Sequence, residues 1–313
     1  MKLLSYKIKK TGSNSFGILT NNGIADIPAN WPEKNCPQCL KDLLKQDDVC
    51  PDNLQETVSL AKDFINLDDV KLLPPIANPG KILALAGNYS EHIKECGLSL
   101  GLSDAPRGDT VPRPFIMPTN VLAGANDEIQ WPVYSEQIDY EAELTIIIGK
   151  TAKCVSPADA KDYIAGFCVC NDVSARSITF KAGRTERPWD NFYDWLNGKW
   201  ADGFLPIGPW ITTADEIKDV QNLQIELKVN SQTRQKSNTS MMIYPANEIV
   251  SFLSHIMTLE PGDIICTGTP AGVGHATGNY LKAGDVIECQ IETLGKLMNK
   301  MGPRPEKFYK PLE

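Results

Sequence analysis

Glu141 and Glu143 stand two residues apart in Asp139-Tyr-Glu-Ala-Glu143, at the start of a β-branched apolar run that ends at Gly149. Asp172 follows directly on a second apolar run, Ile164–Asn171. Residues i and i+2 of a strand share a face, so both glutamates project together, beside Thr145 and Ile147. Paired carboxylates on so apolar a face repel each other and lose solvation. A hard divalent cation relieves both costs, and carboxylate oxygens are the ligands it prefers. The bland alternative is a solvated edge strand whose acids pair with Lys or Arg. Acids are depleted in strands, however, and the run on to Ile148 reads as buried on both faces. The trio Glu141, Glu143 and Asp172 therefore predicts a site for Mg²⁺, Mn²⁺ or Ca²⁺ rather than zinc. Three monodentate carboxylates would leave about three octahedral positions for water or a chelating substrate.

His92 and Glu95 are three apart in a candidate helical turn and so share its face. A carboxylate beside an imidazole orients it and raises its basicity, which suits a general base acting on water. The same spacing describes an ordinary surface pair; what favours chemistry is its place, after a buried strand and before a long loop. His255, in an amphipathic helix, reads as a flanking residue, and nothing requires His275 in a site. Lys199, in Leu196-Asn-Gly-Lys-Trp-Ala-Asp-Gly203, suits enolate or oxyanion stabilisation beside a metal. Its local sequence equally describes a solvated loop lysine. Thr267-Gly-Thr-Pro-Ala-Gly-Val-Gly274 lacks the following helix of a dinucleotide fingerprint and the ending of a P-loop. It reads as a tight loop presenting Thr269 and backbone amides. Cys36-Pro-Gln-Cys39 is a lone C-x-x-C without a second pair, poor grounds for zinc or redox chemistry.

The elements that must position these groups follow from period and punctuation. Strands are expected at 3–8 and 16–27, with a hairpin turn at Asn22-Gly23, and a helix at 52–67. Residues 73–80 are rich in breakers and place a boundary between a small N-terminal α+β module, 1–73, and a larger unit, 80–313. In the larger unit, 82–86, 223–230, 263–266 and 285–293 read as strands and 248–259 as a helix with a wide apolar face. A one- or two-turn helix at 91–96 stops at Gly97, and 98–114 is loop by composition. Ser156-Pro157 with Asp159 starts a helix ending near Gly166. Strands outnumber helices without regular alternation, which predicts a mixed, β-rich α+β core rather than a doubly wound sheet.

Composition narrows the function. The 313 residues carry a net charge of −8, which gives no support to nucleic-acid binding or a cationic membrane face. No apolar run approaches the roughly 18 residues of a membrane span, and the first ten residues lack a signal-peptide core. Nine cysteines in no framework spacing favour a reducing cytosol. The sequons at Asn88 and Asn238 are then chance matches.

Taken in order, Gly87-Asn-Tyr-Ser-Glu-His92-x-x-Glu95, Asp139-Tyr-Glu-Ala-Glu143, Asn171-Asp-Val-Ser-Ala-Arg176, Gly208-Pro-Trp210 and the Glu260–Gly274 segment make the chain resemble the fumarylacetoacetate hydrolase family. The likeness runs from about Lys81 to Glu292, and residues before Pro74 resemble the small N-terminal module of some members. It implies the family's mixed β-roll and homodimer, and Mg²⁺ or Mn²⁺ held by Glu141, Glu143 and Asp172. It also implies a water-activating His92–Glu95 dyad, Lys199 at the metal-bound substrate, and Arg176 and Thr269 as substrate contacts. Three departures stand out: Phe115-Ile-Met117 where many members read Phe-x-Lys, Ser177-Ile-Thr179 after the arginine, and a Trp-rich stretch, 187–200, longer than in the shortest members. The expected activity is hydrolysis of a carbon–carbon bond in an acylpyruvate-like β-diketo acid, by a cytosolic metal-dependent enzyme. The alternatives are decarboxylation or isomerisation of an oxaloacetate- or hydroxy-dienedioate-type acid, and a non-catalytic binding protein on the same fold.

Overall fold

A computed structural model describes residues 1–33, 35–46, 51–100, 109–178, 180–181 and 183–308. Its centre is the strand Ala142–Ile148, buried at every position. A strand with no solvent face needs neighbours on both edges, and it has them. Ile164–Asn171 pairs antiparallel on one side, with Glu143 opposite Cys170, and Ile264–Cys266 pairs antiparallel on the other, with Thr145 opposite Cys266. The large sheet continues from Ile164–Asn171 to Leu205–Thr213 and Lys2–Ile8, and from Ile264–Cys266 to Ile82–Leu85 and Pro114–Met117. A second sheet, built on Gln224–Val229, Val286–Ile291 and Gly295–Met301, adds Ile225, Leu227, Ile287, Cys289 and Leu297 to the core shared with Leu144 and Ile146. The architecture is the β-rich α+β arrangement expected from the pattern of elements.

The N-terminal hairpin forms at Asn22-Gly23, with Thr20 opposite Gly23. Lys2–Ile8 pairs with Leu205–Thr213 through Lys2 and Leu3, so the sheet crosses the division expected at residues 73–80. Leu3, Leu40 and Leu43 also share a core cluster with Ile82, Ile147 and Ile264.

Three helix expectations are corrected. The helix expected at 52–67 is Pro51–Leu60; Ile65, expected near its end, instead bridges Ile24 and extends the hairpin. After Ser156 only the 3₁₀ turn Ala160–Tyr163 forms. The Ser156 hydroxyl donates to the Asp159 carboxylate at 2.6 Å, and β-branched Ile164 then enters the strand that pairs with Ala142–Ile148. The helix carrying His92 runs from Ser90 to Leu100, through Gly97. A glycine costs a helix interior about 1 kcal/mol, which neighbouring turns absorb. Of the loop expected at 98–114, residues 101–108 lie outside the described residues, and Pro114–Met117 is a strand. Among the described residues no helix is long and apolar enough to cross a membrane. The eight described cysteines are free, and the Asn88 amide of the first sequon is buried on the Tyr244 and Thr267 carbonyls.

Candidate active site

The Ala142–Ile148 strand opens at its N-terminal end onto the three carboxylates. Ala142 lies opposite Asn171, so Asp172, one residue on, comes level with Glu141. The Asp172 amide donates to the Glu141 carbonyl at 2.8 Å, and the Glu141 amide to Asn171 Oδ1 at 2.8 Å. These bonds pin the two chain segments together. Glu141, Glu143 and Asp172 are all buried and offer oxygens within 4.8 Å of one another.

Lys199 supplies a countercharge inside the protein. Its side chain is 1% exposed, which for a lysine requires partners. Its ammonium donates to Glu141 Oε2 at 2.8 Å and to Asp172 Oδ2 at 2.8 Å. Trp195 covers it with a ring centroid 5.6 Å from Nζ, within cation–π range. Trp195 is braced edge-on by Phe115 at 4.9 Å and stacked by Phe192 at 5.9 Å. The Trp-rich departure noted in the sequence is thus an aromatic roof over the buried lysine.

Arg176 takes a role other than the expected substrate contact. Its guanidinium donates to Glu141 Oε1 and, through Nε, to Asp139 Oδ2 at 3.1 Å, all of it buried. Asp139 in turn accepts the Gly274 amide at 2.5 Å and the His275 amide at 3.0 Å. Arg176 therefore ties the carboxylate strand to the glycine loop. The loop's amides face the protein's own carboxylates: Gly268 N–H donates to Glu143 Oε2 at 2.8 Å, and Gly272 N–H to both oxygens of Glu95 at 3.0 Å. Glycine is required at each. Gly268 has φ +91° and a Cβ there would lie 2.9 Å from Asn88 Cβ; Gly272 has φ +107° and a Cβ would strike the Arg234 carbonyl. Thr269 donates to the Ala142 carbonyl at 3.0 Å and accepts from Gln235 at 2.8 Å.

Glu95, held by the loop, accepts or shares a hydrogen bond with His92 Nδ1 at 3.0 Å. Nε2 is then the ring nitrogen left for chemistry. His92 lines one small cavity together with Glu141, Asp172, Lys199, Thr269, Phe115 and Trp195, so seven residues expected or found to matter meet around one space. The cavity volume of about 20 Å³ holds about one water or one ion. An organic acid enters only when a wall moves, and the helix Ser90–Leu100 and the aromatic roof are the walls available.

The charges are unequally tuned. Burial opposes ionisation of Glu141, but Lys199, Arg176 and His92 overcome it and hold the carboxyl at about 2. Burial raises Asp172 to about 6, with Lys199 pulling down and Glu141 pushing up. Burial, then Cys170, Asp172 and Glu141, push Glu143 well above the carboxylate range. Burial would lower Lys199, yet Asp172 and Glu141 keep it raised, so it stays an ammonium.

A divalent cation suits this donor set. Among the described residues Asp172 Oδ1 is buried without a hydrogen-bond partner, and neither lysine nor arginine pairs with Glu143. With Asp139, four buried acids face two basic side chains, Lys199 and Arg176, which leaves an excess of acid for a cation to neutralise. Glu143 is also near the thiols of Cys170 and Cys266, but burial pushes the Cys170 thiol far up, against the thiolate that a soft metal needs.

Of the expected residues, the fold brings His92, Glu95, Glu141, Glu143, Asp172, Lys199 and Thr269 to one place, and Arg176 just behind them. His255 Nδ1 donates to the Ser251 carbonyl within its helix, away from the cavity. Cys36 and Cys39 belong to no cluster of possible ligands among the described residues. Met117 is buried opposite Ile82 on a strand edge, and Thr179 lies outside the described residues. Sequence reading assigned no role to Asp139, Gln235, Phe115 or Trp195; their position in motifs or in the Trp-rich stretch was the available signal.

The family model described as fumarylacetoacetate (FAA) hydrolase C-terminal matches residues 81–301. A Dictyostelium discoideum protein named fumarylacetoacetate hydrolase domain-containing protein 2 homolog is 36% identical over 318 residues, covering 96% of this chain and 97% of its own. A Bos taurus protein named oxaloacetate tautomerase FAHD2A, mitochondrial, is 32% identical over 303 residues, covering 96% of this chain and 91% of its own. Among solved structures, maleylpyruvate hydrolase from Sphingobium sp. SYK-6 in complex with manganese(II) ion and pyruvate is 30% identical with a TM-score of 0.74, covering 97% of this chain and 100% of that one. The chain belongs to the fumarylacetoacetate hydrolase family.

Proposed function

We propose that this protein is a Mg²⁺- or Mn²⁺-dependent isomerase that interconverts the keto and enol forms of an oxaloacetate-type 2-oxo acid. The reading replaces hydrolysis of an acylpyruvate as the leading expectation and adopts what stood beside it as an alternative. The observation that carries it is the meeting of a single oriented base, His92, with a fixed ammonium, Lys199, on one cavity at the carboxylate trio. Similarity over nearly the full chain to a protein named oxaloacetate tautomerase supports it.

Glu141, Glu143 and Asp172 would hold the cation, which would act as a Lewis acid and lower the cost of negative charge on the 2-oxygen of a 2-oxo acid. From the keto form, His92 Nε2 removes a proton from the carbon next to the 2-oxo group. Electron density moves to the 2-oxygen, where the Lys199 ammonium offsets the charge. The oxygen then takes a proton from solvent and His92 returns its own to solvent. The reverse path runs through the same groups. Glu95, itself held by the Gly272 amide, keeps the imidazole aligned and stabilises its protonated state. Thr269 would contact the substrate, while Arg176 holds Glu141 in place.

Hydrolysis remains a second reading, because the similar Sphingobium structure is a maleylpyruvate hydrolase and His92 could equally activate water. The test is a product assay. Oxaloacetate and acylpyruvates are incubated with Mg²⁺ and after chelation, and enol, pyruvate and CO₂ are followed separately. Loss of enol without cleavage products supports isomerisation; a carboxylate and pyruvate from an acylpyruvate would replace it with hydrolysis, and CO₂ with decarboxylation. A homodimer is the expected assembly, measurable by sedimentation. The cytosolic expectation competes with the name of the bovine relative, which places that protein in mitochondria, and cell fractionation decides between them.

A further inference from the structure

An oxo acid of the oxaloacetate type carries a second carboxylate at its far end, and that charge needs a partner. The cavity at the carboxylate trio offers none. Its two basic groups are already engaged, Lys199 with Glu141 and Asp172, and His92 with Glu95. Arg176 is spent on Glu141 and Asp139. The position where many family members place a lysine is Met117, which is buried. The roof of Phe115 and Trp195 closes the cavity with apolar rings.

A second cavity of about 30 Å³ shares the wall of Leu85, Ala86 and Gly87 with the first. It is lined by Arg113, Thr110 and Tyr244, and Ile93 of the helix that carries His92 also faces it. The Thr110 and Tyr244 hydroxyls hydrogen-bond to each other, giving this space a polar wall. Arg113 is exposed, and its guanidinium has no ion-pair partner among the described residues. Its backbone carbonyl accepts the Ala86 amide at 3.0 Å, which fixes the residue beside the shared wall. Among the described residues lining the two cavities, Arg113 is the one arginine or lysine not committed to a protein carboxylate.

We propose that Arg113 binds the distal carboxylate of the substrate, so that the enzyme selects dicarboxylic 2-oxo acids over monocarboxylic ones. The proposal rests on the oxo-acid reading above and names the residue that would give it a substrate class. A planar guanidinium can meet a carboxylate through two parallel hydrogen bonds, a geometry that an ammonium does not reproduce. Arg113 then acts as the arm that places the carbon between the two carboxyl groups under His92, while the trio holds the other end.

The experiment compares oxaloacetate with its 4-methyl ester, which keeps the chelating end and removes the far charge. Binding to Mg²⁺-loaded protein is measured by titration calorimetry for the wild type, Arg113→Gln and Arg113→Lys. Wild-type protein is expected to prefer oxaloacetate, and Arg113→Gln to weaken oxaloacetate about ten- to hundredfold while leaving the ester within about twofold. Arg113→Lys should recover part of the loss. The side chain is exposed, so both variants should keep the wild-type melting temperature. Equal affinity for acid and ester in the wild type, or equal weakening of both by Arg113→Gln, overturns the assignment and leaves the isomerase reading standing. Failure of the wild type to bind either compound with Mg²⁺ present would remove the oxo-acid reading and this assignment together.

Discussion

Lys199 Nζ lies 2.8 Å from Glu141 Oε2, a contact between two side chains that are almost completely removed from water. The same ammonium meets Asp172, so one cation holds two of the three acids at a spacing they would not adopt alone. Removing it exposes what it does. Lys199→Met should destabilise the metal-free protein by about 3–5 kcal/mol, because buried Asp172 loses its ammonium and Glu141 keeps only Arg176. Mg²⁺ should restore more stability to this variant than to the wild type, while isomerase activity stays lost. Thermal denaturation with and without Mg²⁺ measures both effects.

Among the described residues Glu143 has no ion-pair partner, and it depends on a cation for its charge. Wild-type protein should therefore melt higher as Mg²⁺ or Mn²⁺ is added, by an amount that grows with the logarithm of concentration above the dissociation constant. Glu143→Ala should abolish that rise. A Glu143→Ala protein that still gains the wild-type shift would remove this residue from the ligand set.

Metal binding should also release protons. Asp172 sits at about 6 in the metal-free fold, above its ordinary 3.8, and Glu143 is raised as well. Between those values the folded chain binds more protons at Asp172 than the unfolded chain, so this group favours the fold at low pH and that advantage fades as pH rises through 6. The cation needs the deprotonated oxygens. Affinity for Mg²⁺ should thus climb as pH rises toward and past 6, with proton release detectable by calorimetry in buffers of different ionisation enthalpy. A pH-independent affinity between 5 and 7 would contradict it.

His92→Ala should lower kcat by about 10²–10⁴-fold and leave the Mg²⁺-induced shift in melting temperature unchanged. Glu95→Gln should fall between the two, since the amide can still accept from Gly272 and from the imidazole but offers no negative charge to the imidazolium. Loss of metal binding with His92→Ala would mean that the histidine belongs to the metal site instead.

The site was legible in the sequence where local pattern alone determines geometry. Two glutamates at i and i+2 in a β-branched run must share a face, and Asp172 at the end of the partner strand falls level with them once the strands pair. The glycine loop was legible as a tight turn, but its purpose was not: its amides reach Glu143 and Glu95, 125 and 177 residues away in sequence. Lys199 looked like a solvated loop residue because its burial is created by Trp195 and Phe115 closing over it. Arg176 was expected at the substrate, and only the fold reveals that Asp139 and Glu141 occupy it. The helix expected to stop at Gly97 runs on to Leu100, since one glycine costs a helix interior only about 1 kcal/mol.

The most direct measurement follows the ultraviolet absorbance of the enol of oxaloacetate with purified protein and Mg²⁺, then after chelation with EDTA. Enol loss should accelerate with Mg²⁺, return to the uncatalysed rate with EDTA, and proceed without pyruvate or CO₂. An unchanged rate in Mg²⁺, or cleavage products that account for the lost enol, would contradict the assignment.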